Sequence, residues 1–213
     1  MNCIDDTHQL ATGTAALTVT DPRFERIVDR HGLPPLRRST PGLKSLLRIV
    51  TDQLISLKAG EAIWRRIEPE LEPFDPESIA TLPEKRLMGF GLSGAKARTF
   101  KAAALAADKG HIDFENLGGL PDREVLAALT EIKGIGPWTA DIYLLSAMGR
   151  ADAWPSGDLA LQVAAQDLFA LASRPLPKDM LQLAEAWRPW RSVAARLLWC
   201  HYRAMRGLSQ DVS

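Results

Sequence analysis

The chain is 213 residues long with 26 lysines and arginines against 26 aspartates and glutamates. That length supports one domain or two small joined lobes with ample core, and the balanced charge excludes a cationic coat for nucleic acid while leaving room for a local basic face. Cys3 and Cys200 alone exclude a disulfide framework or a cysteine-rich metal set and suit a reducing, cytoplasmic setting. The composition is that of an ordinary globular chain, apolar runs such as residues 142–145 are far too short for a bilayer, and no signal-peptide pattern opens the sequence.

In chain order, residues 1–20 are small and polar with little pattern and read as a variable N-terminal arm, leaving 21–213 as the core. Between 36 and 66 the bases Arg37, Arg38, Lys44, Arg48, Lys58, Arg65 and Arg66 face only Asp52 and Glu61. Within that stretch Leu47, Val50, Leu54 and Leu57 form a one-face helical stripe. Residues 67–84 are acidic, with no base. A glycine turn, Gly91-Leu92-Ser93-Gly94, then precedes a basic helix start at Lys96. Near the end, Val193, Leu197, Cys200 and Ala204 make a second stripe, and five arginines between 187 and 206 meet no acid. The basic runs are either solvated helix faces or the lining of a phosphate-binding groove. Punctuation at Pro34-Pro35, Pro41-Gly42, Pro69, Pro73, Pro76, Pro83 and later Gly/Pro pairs divides the chain into roughly nine helices. No convincing strand alternation appears, so the class is all-α.

Two segments carry chemistry. In the first, Leu126, Leu129 and Ile132 form a stripe that stops at Gly134, and a new helical run begins after Gly136. Gly134-Ile135-Gly136 is therefore the turn of a helix-hairpin-helix. Glycines permit positive φ and leave no side chain in the way, so turn amides can approach a phosphate oxygen while Ile135 anchors the turn; an ordinary glycine-capped corner is the alternative. Carbonyls of Thr130, Ile132 and Ile135 could hold a monovalent cation, Na+ or K+, there. The second segment, about twenty residues downstream, is Trp154-Pro155-Ser156-Gly157-Asp158-Leu159. Asp158 stands where an aspartate makes a good N-cap, a position whose dipole also keeps a carboxylate oriented and ionised.

Together these segments resemble the helix-hairpin-helix, Gly/Pro-rich loop and aspartate superfamily of DNA glycosylases. The resemblance runs from about Asp21 to Gly207 and takes in Gln53-Leu54-Ile55-Ser56, the turn at Gly91 to Lys96, and Trp187-Arg188-Pro189-Trp190-Arg191 with Leu198-Trp199. That closing helix is similar to the 3-methyladenine DNA glycosylase II branch. The resemblance implies a two-lobed helical bundle with the active-site cleft between its lobes. It also implies a monomeric enzyme of base excision repair acting on double-stranded DNA that carries alkylated bases, with no required cofactor. Asp158 is the implied catalytic residue. Gly134, Ile135, Gly136, Thr139 and Lys133 are the implied hairpin contacts to DNA, with Gln53 and Leu54 on the loop that fills the gap left by a flipped base. Leu54 is the better wedge because an apolar side chain can replace stacking, although its place in the stripe also suits a core leucine.

Single residues then select the chemistry. Bifunctional members carry a lysine shortly after the second hairpin glycine to attack the sugar C1′. Here Trp138 stands in its place, which implies a monofunctional enzyme using water. Cys200 alone cannot supply the four cysteines of the iron–sulfur branches. Trp138, with Trp199 as a second aromatic, would attract a cationic alkylated purine such as 3-methyladenine or 7-methylguanine by stacking and cation–π. Ile142 and Leu159 depart from the tyrosines that the branch carries at those places. Asp158 would stabilise an oxocarbenium-like sugar or activate water. The alternative is a non-catalytic DNA-binding module that uses the hairpin only to grip phosphate.

Overall fold

The computed structural model describes residues 2–208; residue 1 and residues 209–213, which the sequence boundaries 1–20 and 21–213 include, lie outside the described residues. Among the described residues the chain forms twelve α-helices and no strand, its one β feature being an isolated bridge between Cys3 and Arg150. The all-α class is thus observed. The described residues divide into two compact units, one built from residues 2–38 and 144–208, the other from 39–143.

The N-terminal segment is not an arm. Helix α1, Thr7–Thr20, starts at Asp6, whose side chain accepts the Gln9 N–H at 2.7 Å, and it buries Leu10, Gly13, Thr14 and Leu17. Those four positions form a helical face, but two of them are glycine and threonine, so hydrophobic patterning passes over it. Ahead of it Ile4 is buried and donates its N–H to the Gly149 carbonyl at 2.7 Å. A 3-10 turn at Pro22–Phe24 leads into α2, Glu25–His31. At this turn the buried Asp21 accepts from Arg23 and from the indole N–H of Trp187. Burial pushes its carboxyl up, yet the hydrogen bonds from Arg23 and Trp187 outweigh that and hold it below its usual range.

The second unit begins with α3, Leu43–Asp52, and α4, Leu57–Leu71. The stripe expected to continue through Leu54 and Leu57 is broken here, since α3 stops at Asp52 and both leucines are exposed. Pro69, expected as a break, lies inside the last turn of α4. Short helices α5, Pro76–Thr81, and α6, Glu84–Gly89, follow, each opened by a proline at or just before its first residue. These six-residue helices raise the number above the nine expected from punctuation. Helix α7, Gly94–Asp108, packs on α3 and α5, and α8, Asp122–Thr130, leads through the hairpin turn into α9, Pro137–Ile142.

A π-helical stretch, Tyr143–Ala147, extends α9 and carries the chain back to the first unit. There α10, Leu159–Leu168, α11, Pro177–Ala184, and α12, Arg191–Met205, complete the fold, with α10 packed on α12. The stripe of Val193, Leu197 and Cys200 faces this core as expected. Trp187 is fully buried at its centre, edge-on to Phe24 at 5.2 Å and to Trp154 at 5.3 Å.

The basic runs find their partners inside each unit. Lys44 pairs with Glu68 at 2.8 Å, Arg48 with Asp52 and Glu61 at 3.0 Å, and Arg65 with Glu61 at 2.9 Å. In the C-terminal run, Arg191 reaches Asp152 at 2.7 Å, and Arg188 reaches Asp152 and Glu185. Arg196 is buried and donates to the carbonyls of Leu36 and Leu145, while Arg38 donates to those of Ser146 and Ala147. Burial and the neighbouring Arg38 and Arg37 push Arg196 down to about 10. Its charge is tolerated there because it meets backbone carbonyls, one of them from Leu145 within the π-helical stretch. Arg196 and Arg38 are thus committed inside the fold, whereas Arg37, Lys58, Arg65 and Arg66 are exposed, as the solvated-face reading expects.

Candidate functional site

In the second unit the hairpin forms as expected. Helix α8 ends at Thr130, the Ile132 N–H closes on the Leu129 carbonyl at 3.2 Å, and the Ile135 N–H closes on the Ile132 carbonyl at 3.0 Å. Ile132 and Ile135 are buried and anchor the turn, whereas Lys133 is exposed. The two glycines are needed for different reasons. Gly134 has φ +94°, and a Cβ built on it would lie 1.9 Å from the Thr99 hydroxyl of α7, so both conformation and packing exclude a side chain. Gly136, at φ −100° as the N-cap of α9, would place a Cβ in open space. Nothing within the protein demands glycine there. The absence of a side chain leaves the backbone of the turn open to an approaching group.

The loop between α3 and α4 is fastened to this hairpin. Gln53 donates from Nε2 to the Thr139 hydroxyl on α9 at 2.8 Å, and Thr139 is itself buried. Lys96 on α7 donates to the Thr51 carbonyl at 2.8 Å, holding the end of α3. Burial pulls the Lys96 amine down, partly countered by Asp52, and burial raises Asp52 against the attraction of Arg48. Ser56 restarts the chain as a helix by accepting the Ala59 N–H at 3.2 Å. Between these fixed points Leu54 adopts φ +56° and is 104% exposed. A leucine in left-handed backbone with its whole side chain in water is costly by about 1–2 kcal/mol before any apolar exposure is counted. Leu54 is therefore not a core residue, and Gln53 is committed to Thr139. Trp138, the second residue of α9, is half-buried.

In the first unit the Gly/Pro loop delivers Asp158 to the start of α10. Its Oδ1 accepts the Leu161 N–H at 3.0 Å, the N-cap bond the sequence calls for. The loop is braced by Trp154, whose indole donates to the Met180 carbonyl at 3.1 Å, and by Gln162, which donates to the Ser156 carbonyl at 3.2 Å. Trp199 on α12 is half-buried, and its indole N–H donates to the same Asp158 Oδ1 at 3.2 Å. Leu159, beside the carboxylate, is 55% exposed.

The structure thus gathers Gly134, Ile135, Gly136, Thr139, Gln53 and Leu54 on one local framework, and Asp158 with Trp199 on another. Sequence reasoning missed three contributors: Thr99 against Gly134, Lys96 at the end of α3, and the indole donor on Asp158. Lys96 and Thr99 lie one turn apart on α7, but nothing local in α7 signals what either touches.

An all-helical chain that joins a Gly-x-Gly hairpin to a helix-capping aspartate on a Gly/Pro loop has the parts of a base excision repair protein. A family model described as "HhH-GPD superfamily base excision DNA repair protein" matches residues 47–189, and the chain belongs to that superfamily. It is 26% identical over 191 residues to the alkylbase DNA glycosidase-like protein mag2 of Schizosaccharomyces pombe, covering 86% of this chain and 89% of that one. It is 31% identical over 160 residues to DNA-3-methyladenine glycosylase 1 of the same yeast, covering 73% of this chain and 70% of the relative. Among solved structures, the S. pombe 3-methyladenine DNA glycosylase Mag1 in complex with abasic DNA matches with a TM-score of 0.83 and 27% identity, over 93% of this chain and 98% of that one. No helix among the described residues is long and apolar enough to cross a membrane.

Proposed function

We propose that this protein is a monofunctional DNA glycosylase that hydrolyses the bond between an alkylated purine and its sugar in double-stranded DNA. The observation that carries the reading is Asp158, a carboxylate held by two donors at a helix N-terminus in a chain of this superfamily. Such a group is oriented to oppose the positive charge that develops at C1′ as the glycosidic bond breaks. An N3- or N7-alkylated purine carries a positive charge, so the electrons of the breaking bond leave it neutral. No strong general acid is then required. Water adds to C1′, its proton passing to Asp158 or to solvent, and a free base and an abasic site result.

The other residues take supporting roles. The hairpin backbone around Gly134 and Gly136, with Lys133 beside it, contacts a phosphate, and the carbonyls of Thr130, Ile132 and Ile135 suit a Na+ or K+ ion because hard cations prefer oxygen donors. Leu54 is the wedge that replaces the flipped nucleotide, and Gln53 secures the loop that carries it. Trp138 offers an electron-rich face to the cationic base and, standing where a nucleophilic lysine would be needed, leaves water as the attacking group. The protein acts as a monomer in a reducing cytoplasm, a setting that suits a chain with two cysteines, Cys3 and Cys200.

The test is to incubate the protein with methylated duplex DNA and identify the bases released, with alkali to reveal abasic sites and borohydride to trap any Schiff base. Release of 3-methyladenine or 7-methylguanine without a covalent adduct is the expected result. A trapped adduct would overturn the monofunctional assignment. Duplex binding without release would leave a phosphate-gripping module in its place.

A further inference from the structure

The relation between Trp199 and Asp158 deepens the glycosylase reading and rests on it. We infer that Trp199 is a positioning residue for the Asp158 carboxylate, acting through its indole N–H rather than chiefly through its aromatic face. The two donors on Oδ1 come from different directions. Leu161 belongs to the helix that Asp158 caps, and its N–H at 3.0 Å ties the oxygen to the α10 axis. Trp199 belongs to α12, and its Nε1–H at 3.2 Å ties the same oxygen to a second helix. The cap bond comes from the helix that Asp158 itself starts; a donor from another element adds an independent restraint on the same oxygen. The anchor behind the donor is rigid, because Leu197, Leu198 and Cys200 around Trp199 are buried and α12 packs along α10.

The chemistry needs that rigidity. Electrostatic stabilisation of a sugar cation depends on a charge already in place when the bond breaks, and a hydrogen bond to a carboxylate is stronger than one between neutral groups. An aromatic side chain whose role is stacking has no use for its N–H pointed at the catalytic carboxylate. A phenylalanine would stack almost as well, and only the donor distinguishes the two.

Trp199→Phe therefore separates the roles. The expected outcome is a kcat reduced roughly ten- to a hundredfold, with KM and affinity for abasic duplex close to wild type, because a charge-assisted hydrogen bond is lost. The loss should be equal for cationic 7-methylguanine and for neutral hypoxanthine. Wild-type kcat in Trp199→Phe would overturn the inference. So would a loss confined to the cationic base, which is the mark of a stacking residue. A measurement on wild type and Asp158→Ala keeps the inference testable should Trp199→Phe fold poorly. With 15N-labelled tryptophan, the Trp199 indole N–H resonance should lie downfield in wild type and move upfield in Asp158→Ala, and an unmoved resonance would overturn the pairing. If wild-type protein releases no base, the glycosylase reading fails and the catalytic role of Trp199 fails with it, while the resonance still reports the pairing by itself.

Discussion

The two units build their functional groups by opposite means. In residues 39–143 the candidate contacts to DNA are made by removal and exposure: two glycines strip side chains from a turn, and a leucine is pushed into solvent by its own backbone. In residues 2–38 and 144–208 the candidate catalytic group is a side chain held by two donors between packed helices. The contrast follows from what each must meet. A phosphate backbone presents the same oxygens at every step, so an open amide surface suffices. A developing charge at one carbon requires a counter-charge already fixed in direction.

The largest expected effect tests the fixed carboxylate. Asp158→Asn should lower base release about a thousandfold in a single-turnover assay, while thermal stability stays at wild type because asparagine caps a helix as well as aspartate. Asp158→Ala should lose the same activity and about 1 kcal/mol of stability besides, which chemical denaturation would read. An Asn variant as active as wild type would remove the contrast altogether.

The two hairpin glycines should behave differently from one another. Gly134→Ala places a Cβ 1.9 Å from the Thr99 hydroxyl at φ +94°, so stability should fall by more than about 2 kcal/mol. Gly136→Ala meets open space and should lose far less stability than Gly134→Ala, at most the small cost of alanine at a helix N-cap, while binding duplex DNA more weakly in a fluorescence-anisotropy titration. Equal effects on stability would show that the turn is built for packing alone.

A pH experiment probes the buried network of the first unit. Asp21 is held below its ordinary value of 3.8 because the bonds from Arg23 and Trp187 outweigh its burial. A carboxyl depressed by folding contributes stability that is complete above its unfolded pKa and is lost as pH falls through the lower, folded one. Asp21→Asn should thus cost about 1 kcal/mol at neutral pH and show a flatter decline in stability below about pH 4, measured by urea unfolding. The smallest effect concerns the exposed loop. Leu54→Gly should leave stability unchanged or raise it by at most about 1 kcal/mol, since it relieves a strained backbone, while slowing release from duplex DNA more than from single strands.

What could be read from the sequence was local. Gly134, Gly136 and the Asp158 cap were legible because turn conformations and helix starts are decided within a few residues. The helix break at Leu54 was not, since the apolar spacing carries on unchanged across it and no glycine marks the positive φ. The first helix stayed hidden because its buried face uses Gly13 and Thr14 in place of larger apolar residues. Within the basic runs the pairs of Arg48 with Asp52 and Arg65 with Glu61 are local, but the commitments of Arg191 and Arg196 were not legible: Asp152 lies 39 residues from Arg191, and Arg196 binds backbone carbonyls. Trp199 was legible as an aromatic but not as a donor, since a stripe gives the face of a helix and not the aim of a single N–H.

The internal commitment of those arginines also bears on how the protein would respond to salt. DNA affinity falls with ionic strength in proportion to the counterions displaced, with a log–log slope of about 0.9 for each phosphate neutralised. Lys44, Arg48, Arg188 and Arg191 already neutralise carboxylates, and Arg38 and Arg196 donate to backbone carbonyls. Engaged in this way, they are less available to neutralise phosphates and so to displace the cations condensed on DNA. The salt dependence of duplex binding should therefore be set by the other cations, Lys133 among them, and be shallower than a count of 26 basic residues suggests.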